Sequence, residues 1–525
     1  MRLRTILMAL TVMALLMWGA TGSLAQMPAA APGDALQRVR APQGASGCTN
    51  EAASSCAEAA AKILPLVMGP SPMAENLRRL TDEIGGRVTG TPAMARAIRW
   101  GVEGFRAAGV DVHTEKYQLP LTWSEGETRL ELLGEIKFPL RAVSLGWSPA
   151  IPAGGIEAVV VDIGNGTIED FAAAGGQIKG AILLAHTNVG ATWADLDAEY
   201  SRPPEIIDHA LSGGAAAILW VGARERLLLY RHTNTEDGSL EKIPQAIIAR
   251  EDALRLSRTA VAYPGKIRVR LSMPNKIGPA VEQENVVGEI RGYEKPDEAV
   301  ILGAHLDSWD LGTGALDNGC NAALVIEAAR ALKATGLRPR RTIRFVLFSG
   351  EEEGLLGSWG YVKSHRAELD KIQAVIIFDS GNGRFTGYSM GGRRELEAGV
   401  REVLKPLQSW DVDHHTADAQ TGTDHVDFMI EGVPTLVSNM EESNYLPNYH
   451  AASDTLDKVD IRTLKLHTAI AAQTAWGLAD RKEALGKRLS REELETLMRE
   501  TGLDQQMKAM GFWDDWQKGT RGRRP

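Results

Sequence analysis

Three apolar, β-branched runs between residues 300 and 382 each end in a side chain able to hold a metal ion. VILGAH closes on His305, RRTIRFVLFSGEE on Glu351 and Glu352, and QAVIIFD on Asp379. Near-continuous apolar runs suit strands of a parallel sheet covered on both faces. In such a sheet, ligands bind beyond the carboxyl ends of the strands. The chain is therefore expected to be α/β, a mostly parallel sheet sandwiched by helices. One histidine and several carboxylates at that edge describe a hydrolytic metal site.

The remaining sequence is organised around that stretch. Its 525 residues are enough for two domains, and 44% apolar with 24% charged residues is the balance of a globular protein. The net charge of −9 argues against a nucleic-acid partner. Arg2 and Arg4 precede an apolar run from Ile6 to Trp18, and Ser23-Leu24-Ala25 offers a small-residue cleavage site. Residues 1–25 are thus expected to be a cleavable signal peptide, with an uncleaved anchor as the alternative, and the mature chain to be secreted or periplasmic with no stable membrane span. Cys48 and Cys56 flank a short polar loop and could pair in an oxidising compartment, whereas Cys320 reads as a small buried residue.

Residues 26–65, rich in Ala, Pro, Gly and Ser, read as an N-terminal linker. Residues 66–124 begin the main domain as helix then strand. Residues 125–278 carry short apolar runs between Gly-rich turns and read as an inserted, mostly β domain that shapes access to the site. Their histidines, His186, His209 and His232, are scattered. The α/β pattern resumes over 279–484, with strands expected at 299–305, 342–348, 373–379 and 433–438. Residues 485–525 read as a charged helical tail with a capping box at Ser490 to Glu493 and a frayed basic end. Trp513 and Trp516 there could dock on the body or on a second subunit, which leaves a homodimer open.

The chemistry follows from spacing. Two metal ions need a ligand that reaches both, and Asp317, twelve residues after His305 in a Gly-rich loop, can give one oxygen to each. His305, Asp317 and Asp379 would form one site. Asp317, Glu352 and a distant histidine would form the other, and His450 in NYHAASDT is the best candidate because it sits in a polar loop beside tyrosines and carboxylates. Imidazole and carboxylate ligands with open positions suit catalytic zinc. Asp307 could accept the other proton of His305, and Asp454 that of His450. If Glu352 binds metal, its neighbour Glu351 is free to act as general base. Tyr449 is a candidate donor to a developing oxyanion.

At GAHLDSWDLGTGALDNG, SGEEEGLLGS, FDSGNG, GTDHVDFMIEGVP and YHAASDT, over most of residues 70–480, the chain resembles the M28 metallopeptidase family, and within it a carboxypeptidase branch. The resemblance implies a dizinc exopeptidase of phosphorylase/hydrolase-like fold with an inserted protease-associated domain. It carries the ligands onto His305, Asp317, Glu352, Asp379 and His450, the general acid/base onto Glu351, and the supporting aspartate onto Asp307. Tyr449 and the run after Asp379 depart from that branch, so the end of the substrate that is read stays open. His425 could line the pocket. The expected substrates are short peptides, cut as by a dipeptidase or carboxypeptidase, with an aminopeptidase as the alternative. A glutaminyl cyclase of the same fold or a non-catalytic binding protein would lack part of this ligand set.

Overall fold

Side chains of a strand point alternately to its two faces, so a strand that is apolar at every position must be covered on both. The structure is a computed structural model and describes residues 51–524. Four apolar runs are strands, Lys295–His305, Arg341–Phe348, Ile372–Ile377 and Thr435–Met440. They lie mutually parallel in the order 341–348, 295–305, 372–377, 435–440. Val300, Leu302 and Ala304 join one core, with the helices Cys320–Ala334 and Ile461–Asp480. Ile301, Val346 and Ile377 join another, with Tyr361, Val362 and Phe428.

The sheet has seven strands, and its edges are antiparallel rather than parallel. Asp111–Leu119 and Val281–Ile290 extend one side, and Phe385–Ser389 closes the other. The Asp111–Leu119 edge alternates between exposed and covered positions, as suits a strand with one wet face.

The strands 111–119 and 281–290 pair along their whole length, Asp111 with Glu289 through to Leu119 with Val281. Between them, residues 129–273 build a second seven-stranded sheet. Its Ile182–Ala185, Ala217–Val221 and Gln245–Ile248 strands are parallel and fully buried. Four helices also run here, Ile168–Ala174, Trp193–Ser201, Pro203–Gly213 and Arg250–Ala262. The segment is therefore α/β rather than mostly β. Ile168–Ala174 and Trp193–Ser201, at 7 and 9 residues, are too short for their period to stand out between Gly-rich turns.

Two further expectations are corrected. Of the proposed linker 26–65, residues 51–65 instead belong to the helix Glu51–Met68, whose Ala59, Ile63 and Val67 are fully buried in the main core, and residues 26–50 lie outside the described residues. Small residues at helical spacing make a close-packing face, which composition alone disguises as linker. The basic end is not frayed, because Arg521 is buried against Asp427. The Ser490–Glu493 capping box does form and starts the helix Arg491–Thr501. Trp516 is fully buried in a cluster with Val426, Met429 and Ile430. Residues 1–25 and Cys48, and with them the signal and any Cys48–Cys56 bridge, lie outside the described residues. Cys320 is fully buried. Among the described residues, no helix is long and apolar enough to cross a membrane.

Candidate metal centre

All four parallel strands deliver a side chain to one place. His305 is the last residue of its strand, Asp379 lies two residues beyond Ile377, and Glu351 and Glu352 lie on the turn after Phe348. His450 comes from the loop after the Thr435–Met440 strand. The intervening turn Ala315–Gly319 supplies Asp317.

The five candidate ligands meet as two triads that share one residue, His305–Asp317–Asp379 and Asp317–Glu352–His450. The Nε2 atom of His305 stands 3.1 Å from Oδ1 of Asp317 and 3.2 Å from Asp379. The Nε2 atom of His450 stands 3.2 Å from Oδ2 of Asp317 and 2.9 Å from Glu352. Each oxygen of Asp317 thus faces a different imidazole, the arrangement a bridging carboxylate needs. Donors held about 2.0–2.1 Å from a tetrahedral zinc lie about 3.3 Å from one another, so this spacing fits a metal ion in each triad.

Electrostatics point the same way. Burial pushes the Glu351 carboxyl well up; the His305 imidazole opposes this, and the Asp379, Glu352 and Asp424 carboxylates add to it. Burial would also raise Asp317, but hydrogen bonding to His305 and His450 outweighs it and holds this carboxyl low. Oε1 of Glu352 is buried without a hydrogen-bond partner. So many carboxyls packed together call for cations to offset their repulsion.

The supporting contacts differ in part from those expected. The Nδ1 atom of His305 meets the Asp307 backbone carbonyl at 3.2 Å, nearer than the Asp307 carboxylate at 3.7 Å. That carboxylate instead accepts the Glu352 N–H at 3.1 Å. Asp454 does not serve His450; its carboxylate accepts the N–H groups of Leu316 at 2.7 Å and Asp317 at 3.1 Å, fixing the turn that carries Asp317. Tyr445, not singled out in the sequence, donates its hydroxyl to Oδ2 of Asp317 at 3.1 Å. Arg87, also missed, is fully buried and donates to the carbonyls of Leu306, Thr313 and Gly314. Tyr445 lies five residues before His450 but outside the NYHAASDT run, so only its nearness to that histidine could flag it; nothing around Arg87 gives a signal.

His450 is held from outside the main sheet. Its φ of +58° is in the left-handed region, uncommon for a side-chain-bearing residue. Arg231 N–H donates to the His450 carbonyl at 3.1 Å, and Ala452 N–H to Leu229 at 2.9 Å. Arg224 donates to the Tyr449 carbonyl at 3.2 Å while paired with buried Glu199 at 3.3 Å. The Tyr200 hydroxyl lies 2.9 Å from that of Tyr449 and 3.5 Å from Nδ1 of His450. The Tyr449 ring stacks on the His450 imidazole, centroids 3.7 Å apart. On the other side glycine is required, because a Cβ on Gly312 would stand 2.5 Å from the Ala451 carbonyl oxygen.

The triads open into a cavity of about 1340 Å³ that Glu351, Tyr449 and His425 also line. The intervening segment contributes Trp193, Asp197, Tyr200 and Glu236. The one basic side chain of Lys or Arg type among its described lining residues, Arg384, is paired with Asp411 at 3.1 Å and Glu441 at 2.5 Å. A third group of metal-capable side chains, Asp411, Asp413 and His414, is largely exposed, and its two carboxylates pair with Arg384 and Arg401.

Comparison with known proteins agrees with this architecture. The family model described as Peptidase family M28 matches residues 285–475. The chain is 32% identical over 416 residues to carboxypeptidase Q of Mus musculus, covering 78% of this chain and 86% of that protein. The crystal structure of a peptidase M28 precursor from Shewanella amazonensis superposes with a TM-score of 0.73 at 27% identity, over 83% of this chain and 100% of the other. A zinc aminopeptidase from Bacillus subtilis shares the fold, with a TM-score of 0.62 at 20% identity over 80% of this chain and 97% of the other.

Proposed function

The chain belongs to peptidase family M28, and from that premise we propose that it is a co-catalytic dizinc exopeptidase acting on short peptides. The observation that carries the reading is the shared carboxylate, with one oxygen of Asp317 toward His305 and the other toward His450. His305, Asp317 and Asp379 would hold one ion; Asp317, Glu352 and His450 would hold the second. The donor set of two imidazoles and three carboxylates suits zinc, which the fold relative from Bacillus subtilis uses by name. Zinc bound there would supply Lewis-acid polarisation of the scissile carbonyl and lower the pKa of a water molecule toward neutrality.

Glu351 takes that proton and passes it to the leaving amine nitrogen. Its buried setting raises its proton affinity, as a group that both accepts and returns a proton needs. Tyr449 donates to the developing oxyanion from its place against His450. Asp307 positions Glu352 through its backbone N–H and takes part in orienting His305. Residues 125–278 are an inserted protease-associated domain within a peptidase domain of residues 66–124 and 279–484. The mature chain acts after export, outside the cytoplasm, on short peptides.

Which end of the peptide is read divides two activities. The relatives named carboxypeptidase Q favour a carboxypeptidase. The cavity favours an aminopeptidase: Arg384 is already paired, whereas the side chains of Glu236 and Asp197 enter no ion pair among the described residues and could meet a free α-amine. The test is hydrolysis of one dipeptide by the zinc-loaded mature chain, beside its N-acetylated and C-amidated forms, with bound zinc counted. Loss on acetylation alone identifies an aminopeptidase, loss on amidation alone a carboxypeptidase, and loss with either cap a dipeptidase. No cleavage of any form with two zinc ions bound would overturn the peptidase reading of the site.

A further inference from the structure

The residues beyond the family match at 475 do more than trail from the fold. Leu494, Met498, Leu503, Met507, Phe512 and Trp516 form one apolar cluster with Leu355, Val426, Met429 and Ile430 of the main domain. Leu355 lies three residues after Glu352, and Val426 is next to His425 of the cavity. The segment is also clasped by a buried ion pair. Arg521 donates to both oxygens of Asp427, at 2.7 and 2.9 Å, and to the Gly354 carbonyl at 3.3 Å. Trp359 and Phe512 lie 5.0 and 4.3 Å from its guanidinium. A bidentate, buried pair of this kind holds geometry as well as charge. Gly354 closes the turn that begins at Glu351, so the clasp grips the strand-end loop of the site itself.

The segment also faces the cavity. Thr501, Gln505, Gln506, Ala509 and Met510 line it together with the metal triads. Gln506 is set in place by donating to the Ala419 carbonyl at 3.0 Å, and the Thr421 hydroxyl donates to the Met510 sulfur at 2.8 Å. The helix Leu503–Ala509 touches the helix Trp193–Ser201 of the intervening segment, so two parts of the chain outside the main sheet meet over the site. All five of these cavity residues are uncharged. Amide and hydroxyl groups can bond a peptide backbone, and the thioether and methyl groups can cover a neutral side chain, whereas nothing on this wall would pair with an anionic one.

We propose that the C-terminal helices are a specificity wall of the substrate cavity, which receives the uncharged peptide residue lying farther from the metal centre. The proposal rests on the peptidase reading of the same cavity. Removing the segment would bare its apolar cluster, so the test uses point variants on the cavity face. Ala509→Trp narrows the wall and Met510→Ala widens it. The probes are alanine hydroxamate, alanyl-alanine hydroxamate and trialanine hydroxamate, titrated calorimetrically into zinc-loaded full-length chain, with thermal unfolding as the control for folding.

Ala509→Trp is expected to weaken the longest probe about tenfold while shifting alanine hydroxamate by less than about twofold, as a filled subsite does. Met510→Ala is expected to change the ranking of the three probes without changing the shortest. Equal shifts on all three probes, no shift in either variant, or no binding of any probe to the wild type would each overturn the wall. A wild type that ranks the hydroxamates by length but cleaves no alanine peptide would count against the peptidase reading and leave the wall standing.

Discussion

The two triads are built in opposite ways. His305 and Asp379 sit at the ends of neighbouring parallel strands whose backbones pair at Gly303 and Ile377. Sheet hydrogen bonds and two buried faces fix them, and little else is needed. The other triad depends on distant parts of the chain. Glu352 is placed by Asp307, and His450 sits ten residues past its strand in a left-handed conformation, braced by residues 200–232. A ligand on a strand end inherits the rigidity of the sheet, whereas a ligand on a braced loop is only as fixed as its braces. The first triad should therefore be the stiffer and the second the more easily emptied.

The comparison can be broken in several places. Asp317→Asn should have the largest effect, since it weakens both triads at once; zinc counting after dialysis should find neither ion retained in full, with turnover lost. A variant that keeps two ions would sink the bridging role. Glu351→Gln should lower kcat by about 10²–10⁴ while both ions stay bound, because only the proton carrier is removed. Near-normal turnover would remove it as general base.

Arg224→Met probes the braces. It should weaken one ion by about 10–100-fold and spare the other, the range expected when an outer partner of a ligand is lost. It also leaves Glu199 buried without its cation, so the double variant with Glu199→Gln should recover folding stability but not zinc affinity. Equal loss of both ions would contradict the asymmetry. Tyr200→Phe should act in the same direction, at the weak end of that range, because its hydroxyl stands 3.5 Å from Nδ1 of His450. The smallest effect is kinetic. A chelator should remove the two ions in separable phases, and the His450 triad should empty first, as read from anomalous scattering of partly stripped crystals.

The same asymmetry governs what could be read from the sequence. His305, Glu351, Glu352 and Asp379 were legible because an apolar run announces a buried parallel strand and the next polar residue marks its end. Asp317 was legible through its short spacing from His305 in a Gly-rich loop. His450 stands out only by its polar surroundings, a weaker signal. Its braces, Tyr200, Arg224 and Arg231, lie more than two hundred residues away, and no local pattern links them. The Asp454 role is hidden for the same reason, since its contact with the 316–317 turn crosses over a hundred residues. From sequence Arg521 reads as part of a frayed basic end, because a basic cluster looks alike whether or not a buried carboxylate awaits it. The helix Glu51–Met68 was lost in an Ala-rich composition, where small residues chosen for close contact resemble those of a linker.

The single β-bridge between Tyr230 and Ala451 limits how freely this protein could be rebuilt. An insertion between two paired strands invites exchange, since its ends meet at one point and the host sheet would close without it. Here the insertion and the host also share a backbone seam at residues 229–231 and 450–452. A chimera that imported another relative's insertion would have to bring the matching strip around residue 450 with it. The portable unit is therefore discontinuous, one piece from each side of the seam, and recombination near residues 119 and 281 alone would leave the strip around His450 facing braces that do not match it.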